Sequence, residues 1–230
     1  PLRFWFNRNP GLALPLIALQ YHEVKIVAEF TSGKGGECGG LLVNYLYLDT
    51  DERRRFAQVS HEYLIEQVQH TGGESIAANA TSKSITLTFN HPVKALFWKG
   101  MHTNTSAYKA KIQLNGHDRA AEQSHLYYTG VQPYECGLRH MGNVNGRVDA
   151  GSSATVAFAL AATDAGMYSF CLKPAEHQPS GTCNFSRIDN ARLVLSSMAG
   201  NNGDTTLNIF AMNYNVLRIM SGMGGLAYSN

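Results

Sequence analysis

Residues Ser84 to Phe89 read SITLTF, and apolar and polar side chains alternate strictly along this segment. Residues Ala191 to Ser196, which read ARLVLS, show the same pattern. A period of two is typical of a β-strand that buries one of its faces. The predicted buried residues are Ile85, Leu87 and Phe89 in the first strand and Ala191, Leu193 and Leu195 in the second. We therefore expect a β-structure with an apolar core.

Further strand-like segments flank these two in both directions, separated by turn-forming residues such as those of NRNPG at Asn7–Gly11. Their predicted bounds are Leu2–Phe6, Leu16–Phe30, Leu41–Leu48, Glu62–Gln69, Val93–Lys99, Lys109–Leu114, Thr155–Leu160, Met167–Lys173, Ile188–Ser196 and Leu207–Met220. The last of them is expected to break near Tyr214. One short helix is predicted at Asp49–Val59, where Asp51 and Glu52 suit the first turn. Many short strands with one clear helix favour an all-β fold of the jelly-roll β-sandwich type over a meander barrel.

Composition excludes several classes of protein. The 230 residues carry a formal charge of only +2, and the longest basic run is Arg53–Arg55, so the broad basic surface of a nucleic-acid-binding protein is not expected. No apolar stretch approaches the ~18 residues of a membrane span, and the first residues do not resemble a secretion signal. The chain opens on Pro1 and continues directly into the apolar LRFWF, which suggests a fragment of a longer protein.

The four cysteines are Cys38, Cys136, Cys171 and Cys183, and none of them forms a CxxC pair. Dispersed, reduced thiols are therefore expected in preference to zinc ligands or a disulfide framework. A Cys171–Cys183 bridge across the intervening loop remains an open alternative, since spacing alone does not exclude it.

Motifs for catalysis and metal binding do not match. His22 and His61 each precede a glutamate but lack the second histidine of the HExxH zinc pattern. No His-x-His of a cupin metal site occurs, and the NGHD sequence around His117 and Asp118 is more simply a tight turn. The glycines around Ser221 do not have the spacing of a nucleophile elbow, and the glycine-rich Gly33–Gly40 loop lacks the ending of a phosphate-binding loop. We expect no catalytic residue, metal or cofactor.

Three N-x-S/T sequons occur. Asn79 and Asn104 lie in polar loops and are the candidate glycosylation sites, although an unmodified loop asparagine remains the alternative without a secretion signal. Asn184 is expected to hydrogen bond within a fixed turn instead. A separate group of aromatic residues is assigned either to the core or to subunit contacts: Phe4, Trp5, Phe6, Phe97 and Trp98.

Seven segments, in this order, strongly resemble the major capsid proteins of nucleocytoplasmic large DNA viruses, particularly those of algal (chlorella) viruses and mimivirus-like relatives. The segments are PLRFWFNRNPGLALPLIALQYHEVKI, YLDTDERRRFAQVSHEYLIEQVQ, FNHPVKALFW, KIQLNGHDR, VQPYE, FCLKPAEHQPSGTCNFSRIDNARL and NYNVLRIMSGMGGLAYSN. The resembling segments cover more than half of the chain and include its last residues.

The resemblance implies two consecutive jelly rolls in the whole protein, of which this chain is the C-terminal portion. Residues 1–48 would then be the last strands of the first jelly roll, residues 49–59 a short helical connector, and residues 60–230 the second jelly roll. It also implies a homotrimer that forms pseudo-hexagonal capsomers of an icosahedral shell. The implied partners are neighbouring capsomers and minor capsid proteins, without direct nucleic-acid contact or a transmembrane segment. The implied location is the virion capsid, assembled in a cytoplasmic viral factory.

Two functions of other classes remain as alternatives. A jelly-roll lectin or receptor-attachment protein would suit the sandwich and its asparagine-rich loops, and a cupin-like metalloenzyme would suit the fold class alone. Within the tail NYNVLRIMSGMGGLAYSN, Val216, Leu217, Ile219 and Met220 are expected to complete the final strand. The SGMGG turn would then allow Leu226 and Tyr228 to dock back on the protein or on a neighbour.

Overall fold

The computed structural model describes residues 2–29, 40–100, 108–138, 165–198 and 204–229. The chain forms two compact units. The first consists of Pro1–Ile65 together with Asn215–Ser229, and the second consists mainly of Glu66–Tyr214.

Eleven strands are present in the described residues, and they form two antiparallel sheets. Their bounds are β1 His61–Ile76, β2 Ser82–Thr86, β3 Pro92–Lys99, β4 Lys109–Leu114, β5 His117–Asp118, β6 Gln123–Ser124, β7 Ala165–Ser169, β8 Cys183–Asn184, β9 Ala191–Ser196, β10 Thr205–Met220 and β11 Met223–Leu226. The predicted strands that begin at residues 62, 84, 93, 109, 167, 188 and 207 correspond to β1, β2, β3, β4, β7, β9 and β10, although β7 ends at Ser169 and β9 begins only at Ala191. The strand predicted at Thr155–Leu160 lies outside the described residues.

The order of strands in each sheet identifies the sandwich type. One sheet has the order β1-β10-β3-β7, with β11 on β10 and β8 on β3. The other has the order β2-β9-β4-β5, with β6 on β4. The first four strands therefore alternate between the sheets, and late strands pair with early ones, as expected of Greek-key connections in a jelly roll. The predicted jelly-roll β-sandwich is confirmed.

The sandwich core is formed by the inward faces of both sheets, as the alternating segments predicted. Ile85, Leu87 and Phe89 are 2–5% exposed, and Leu193 and Leu195 are 0–1% exposed. They pack with residues of the other sheet, which include Leu96, Trp98, Leu207 and Ile209. Among the clustered aromatic residues, Trp98 belongs to this core, whereas Phe4, Trp5, Phe6 and Phe97 are half-buried.

The predicted tight turn at NGHD connects β4 to β5. Its central residues Asn115 and Gly116 have positive φ angles of 52° and 81°, and Leu114 pairs with His117. Two left-handed residues are the mark of a primed hairpin turn, whose twist matches that of the strands, and Asn-Gly is its preferred sequence. The turn prediction is confirmed.

The helix predicted at Asp49–Val59 is present, as α1 at Thr50–Gln58. Asp49 occupies the N-cap position without a side-chain capping bond, and Asp51 and Glu52 lie in the first turn, where carboxylates favour the helix dipole. The expectation of a single helix was wrong. A π-helical turn at Tyr127–Val131 continues into α2, Gln132–Glu135.

The strands predicted at Leu2–Phe6, Leu16–Phe30 and Leu41–Leu48 do not form in the described residues. Residues 2–29 and 40–60 contain 3₁₀ turns at Trp5–Asn7 and Pro10–Leu12, the helix α1 and no strand. Apolar, β-prone sequence alone does not make a strand, because a strand requires the N–H and C=O groups of a neighbour. The predicted break near Tyr214 is wrong as well, since β10 continues through it with only a register shift between Met212 and Asn213.

Candidate functional site

The histidines that invite a metal hypothesis are separated, and their contacts are structural. His22 Nδ1 accepts a hydrogen bond from Gly224 N at 3.2 Å, and His61 Nε2 donates to Phe56 O at 2.8 Å. No group of three candidate ligands gathers anywhere in the described ranges. The His22 and His61 rings therefore connect backbone segments through hydrogen bonds.

His117 and Asp118, the remaining candidates for a cupin-like site, lie in the two-residue strand β5. Asp118 accepts hydrogen bonds from Gln113 Nε2 at 2.7 Å and from Lys111 Nζ at 3.0 Å. These hydrogen bonds lower the pKa of the Asp118 carboxyl group, and the bond from Gln113 has the larger effect. The Asp118 carboxylate therefore links β4 to β5 within the hairpin, and this structural role explains why a charged residue occupies the position.

The sequons occupy different surroundings. Asn79 is exposed in the turn between β1 and β2 with a φ of 61°, next to Ala78, whose N–H donates to Asp204 Oδ1 at 2.9 Å. Asn104 lies outside the described residues. Asn184 Oδ1 accepts a hydrogen bond from Ser186 N at 3.1 Å, which confirms the expected role of this asparagine in a fixed turn.

The C-terminal tail returns on itself as predicted. Ser221 and Gly222, with φ angles of 53° and 80°, form the turn that pairs β11 with the end of β10. Asn215 Nδ2 donates to Tyr228 O at 2.8 Å, so the chain docks through its backbone. The side chains of Leu226 and Tyr228 remain 45% and 62% exposed. The glycines next to Ser221 form a turn, and they do not activate Ser221 as a nucleophile.

A cleft of about 300 Å³ lies within the first unit, where the end of α1 meets the β10–β11 turn. Ala18, Val59 and Ile219 contribute apolar surface, and Gln58 and Ser60 contribute polar surface. None of its described lining residues is titratable, so the cleft offers neither an acid–base pair nor a metal ligand set.

Tyr108, Tyr128 and His125 of the second unit are buried, and hydrogen bonds hold them in place. Trp98 Nε1 donates to Tyr108 Oη at 3.3 Å, and His125 Nε2 lies 3.4 Å from the same oxygen. Tyr128 Oη donates to Ala110 O at 2.9 Å, and burial raises the pKa of its phenol group. These enclosed, hydrogen-bonded groups stiffen the sandwich and are closed to substrate.

The surface carries the most unusual feature. In the first unit, an extended segment at Leu41–Tyr47, LLVNYLY, exposes Leu42 completely and Tyr47 by 93%. In the second unit, Tyr134 of α2 is 82% exposed and Leu172 is 76% exposed. Several large apolar side chains exposed to water on one protein are typical of surfaces that become covered in an assembly. The candidate functional features are therefore exposed apolar contact surfaces, one in each unit. No helix in the described part of the chain is long and apolar enough to cross a membrane.

Comparison with known proteins is consistent with this geometry. The family model described as large eukaryotic DNA virus major capsid protein matches residues 52–110 and 160–225, and a second, described as major capsid protein N-terminus, matches residues 1–38. The major capsid protein of Pyramimonas orientalis virus is 54% identical over the whole chain, and that of Paramecium bursaria Chlorella virus 1 is 42% identical.

A solved structure described as a quasi-atomic model of the PBCV-1 virus capsid superimposes with a TM-score of 0.73 at 38% identity, covering all of this chain and 70% of that one. The chain spans 61% and 66% of the lengths of the two curated relatives.

Proposed function

The chain belongs to the large eukaryotic DNA virus major capsid protein family, and we propose that it forms part of a structural subunit of an icosahedral viral shell. The observation that carries this proposal is the family match at residues 52–110 and 160–225, which includes strands of both sheets. A shell subunit acts through its surfaces, which is consistent with the structural hydrogen bonds made by His22, His61 and Asp118. The relatives that the chain matches are capsid proteins, and no catalytic step is proposed.

The subunit is proposed to form a homotrimer, and the three copies of the chain in one trimer are proposed to make one capsomer with a pseudo-hexagonal outline. Exposed apolar residues such as Tyr134 and Leu172 support association, because burying such side chains removes their contact with water. The test is sedimentation equilibrium of the complete parent protein, followed by electron microscopy of the particles. A trimer mass with six-sided outlines is expected. A strict monomer at micromolar concentration, together with virions that lack the protein, would refute the proposal.

Residues 1–48 are proposed to be the last strands of a first jelly roll, residues 49–59 its connector, and residues 60–230 a second jelly roll. The separate match of residues 1–38 to a capsid N-terminal family supports this division, as does the greater length of the relatives. The exposed Leu41–Tyr47 segment supports it too, since a jelly roll would supply neighbours for this segment. Sequencing upstream of Pro1 tests the division: a second β-rich module is expected there, whereas an unrelated domain would argue against it.

The proposed neighbours are other capsomers and minor capsid proteins, with assembly in a cytoplasmic viral factory. Cross-linking mass spectrometry on purified virions should connect this protein to copies of itself and to smaller shell proteins. Fluorescent labelling of infected cells should place it in cytoplasmic foci before release. Virions in which it cross-links only to DNA-packaging proteins would contradict this arrangement.

Asn79 and Asn104 are proposed as glycosylation sites. Exposure of Asn79 in a turn supports access by a transferase. Intact-mass measurement of virion-derived protein should show added mass that decreases in an Asn79→Gln variant. An Asn184→Gln variant is the matched control, because the Asn184 side chain is engaged by Ser186 N. An unmodified Asn79 peptide from mature virions would remove this site.

A further inference from the structure

Two thiol groups approach the same hydroxyl group in the second unit. Cys171 Sγ lies 3.4 Å from Ser169 Oγ, and the Cys136 side chain hydrogen bonds with the Ser169 side chain. Both cysteines are free, and they are 8% (Cys136) and 7% (Cys171) exposed. The two thiol groups therefore share one hydroxyl group as a neighbour, although their residues are far apart in sequence.

The local structure holds the two thiol-bearing segments together. Cys136 follows α2, and Cys171 follows β7, whose last residue is Ser169. Gln132 Oε1 accepts a hydrogen bond from Ser169 N at 3.2 Å, which ties α2 to the end of that strand. The Cys136 side chain also packs with Ala95 and Met167 under α2. The approach of the thiols is thus set by hydrogen bonds and packing on both sides.

We propose that Cys136 and Cys171 form a redox modification site that closes to an intramolecular disulfide under oxidising conditions. A disulfide requires Cβ atoms about 3.5–4.5 Å apart. The shared contact with Ser169 places the two thiols on neighbouring segments, and closure requires both side chains to rotate and the backbone to shift until this spacing is reached. In the reduced form the Ser169 hydroxyl group contacts both thiols and donates a hydrogen bond to Cys171 O at 2.6 Å. Closure would attach α2 covalently to the end of β7.

The oxidant is a low-molecular-weight disulfide, and the exchange balances in two steps. One cysteine thiolate attacks a sulfur of the oxidant and releases one thiolate, which leaves a mixed disulfide on the protein. The second cysteine loses its proton to solvent and attacks the protein sulfur of that mixed disulfide, which releases the second small thiolate. The protein loses two hydrogens and gains one S–S bond, and the oxidant gains two electrons and two protons.

The surroundings also determine how fast the site reacts. Burial raises the pKa of the Cys136 thiol, so little thiolate is present at neutral pH. Oxidation should therefore be slow in brief exposures and should become faster as the pH rises, because the thiolate is the attacking species. This behaviour suits a protein that matures in reducing conditions and later meets an oxidising medium.

The test is incubation of the purified full chain with oxidised glutathione, followed by acid quenching, alkylation and peptide mapping. We expect a peptide pair joined through Cys136 and Cys171, formed several-fold faster at pH 8.5 than at pH 7. The midpoint of thermal unfolding should rise by about 5–10 °C and return on reduction with dithiothreitol. These measurements on the unsubstituted protein do not depend on how any variant folds.

Variants localise the bond. Cys136→Ala and Cys171→Ala should each abolish the linked peptide and leave the remaining thiol as a glutathione adduct, whereas the matched Cys183→Ala control should retain the link. Full alkylation of both Cys136 and Cys171 after prolonged oxidation would overturn the proposal. A linked peptide that joins Cys171 to Cys183 would overturn it equally.

Discussion

Lys94 Nζ lies 2.5 Å from Glu66 Oε1, and the two side chains are 0% and 9% exposed. The ammonium group also lies 5.0 Å from the centroid of the Tyr214 ring. These three residues belong to β3, β1 and β10, so a buried cation connects three strands of one sheet. Charges are seldom buried in this way unless a partner compensates their lost hydration.

Removing the cation should therefore be costly. A Lys94→Met variant keeps much of the side-chain volume but leaves the Glu66 carboxylate buried without its ammonium partner. We expect the free energy of unfolding, measured with urea, to fall by about 3–5 kcal/mol. The matched control is Lys109→Met, because Lys109 pairs with Glu122 at 3.9 Å in a solvent-exposed position. That change should cost less than about 1 kcal/mol, and equal losses in the two variants would show that the buried pair has no special role.

Gly166 faces Trp98 across the β3–β7 ladder, and the space for a side chain at this glycine is already filled by the indole ring. Trp98 is 1% exposed and cannot move aside without disturbing the core. A Gly166→Ala variant should lower the free energy of unfolding by about 1–3 kcal/mol through overpacking.

The matched control for this variant is Gly225→Ala, since nothing lies within 4 Å of the added methyl position in that strand glycine. Thermal unfolding should show a lowered midpoint for the first variant and little change for the second. A Gly166→Ala protein as stable as the parent would mean that Trp98 repacks freely.

The Asp118 carboxyl group should respond to its two hydrogen-bond donors. Gln113 contributes most to the lowering of its pKa, followed by Lys111, so Gln113→Met and Lys111→Met should each raise that pKa. A carboxyl group whose pKa is lower in the folded state stabilises the fold above its unfolded-state pKa, and this contribution disappears as the pH falls through the folded-state value. Titration of the Asp118 carboxyl carbon by NMR measures the effect directly. An unchanged pKa in both variants would show that the hairpin does not form these bonds in solution.

The strand pattern was largely readable from the sequence because it is local. In SITLTF and ARLVLS the period of two specifies the buried face without any knowledge of the partner strand, and the Asn115–Gly116 pair specifies its own turn. Pairing between distant segments was not readable. Nothing near Lys94 in the sequence indicates Glu66, and no sequence pattern relates Cys136 to Cys171.

The errors arose where tertiary contacts override local preference. The Tyr127–Val131 segment, YYTGV, consists mostly of strand-favouring residues, yet it is helical. The burial of Tyr128 and its hydrogen bond to Ala110 O stabilise the helical conformation. The strands predicted in the N-terminal segments are wrong for a different reason. Their apolar residues favour strands, but the described structure provides no neighbouring strand with which they could pair.

The exposed Leu41–Tyr47 segment yields a prediction that separates the chain from the longer protein proposed for it. Leu42 is fully exposed and Tyr47 is 93% exposed, so Leu42→Ser and Tyr47→Ser should change the free energy of unfolding of this chain by less than about 0.5 kcal/mol. If an upstream jelly roll covers these residues, the same changes in the complete protein should each cost about 1.5–3 kcal/mol. Leu172→Ser, at a residue 76% exposed in the second unit, is the control and should be neutral in both proteins when each is measured as a monomer. Equal, small effects of the Leu42 and Tyr47 changes in the chain and in the complete protein would mean that the upstream module does not pack on this segment.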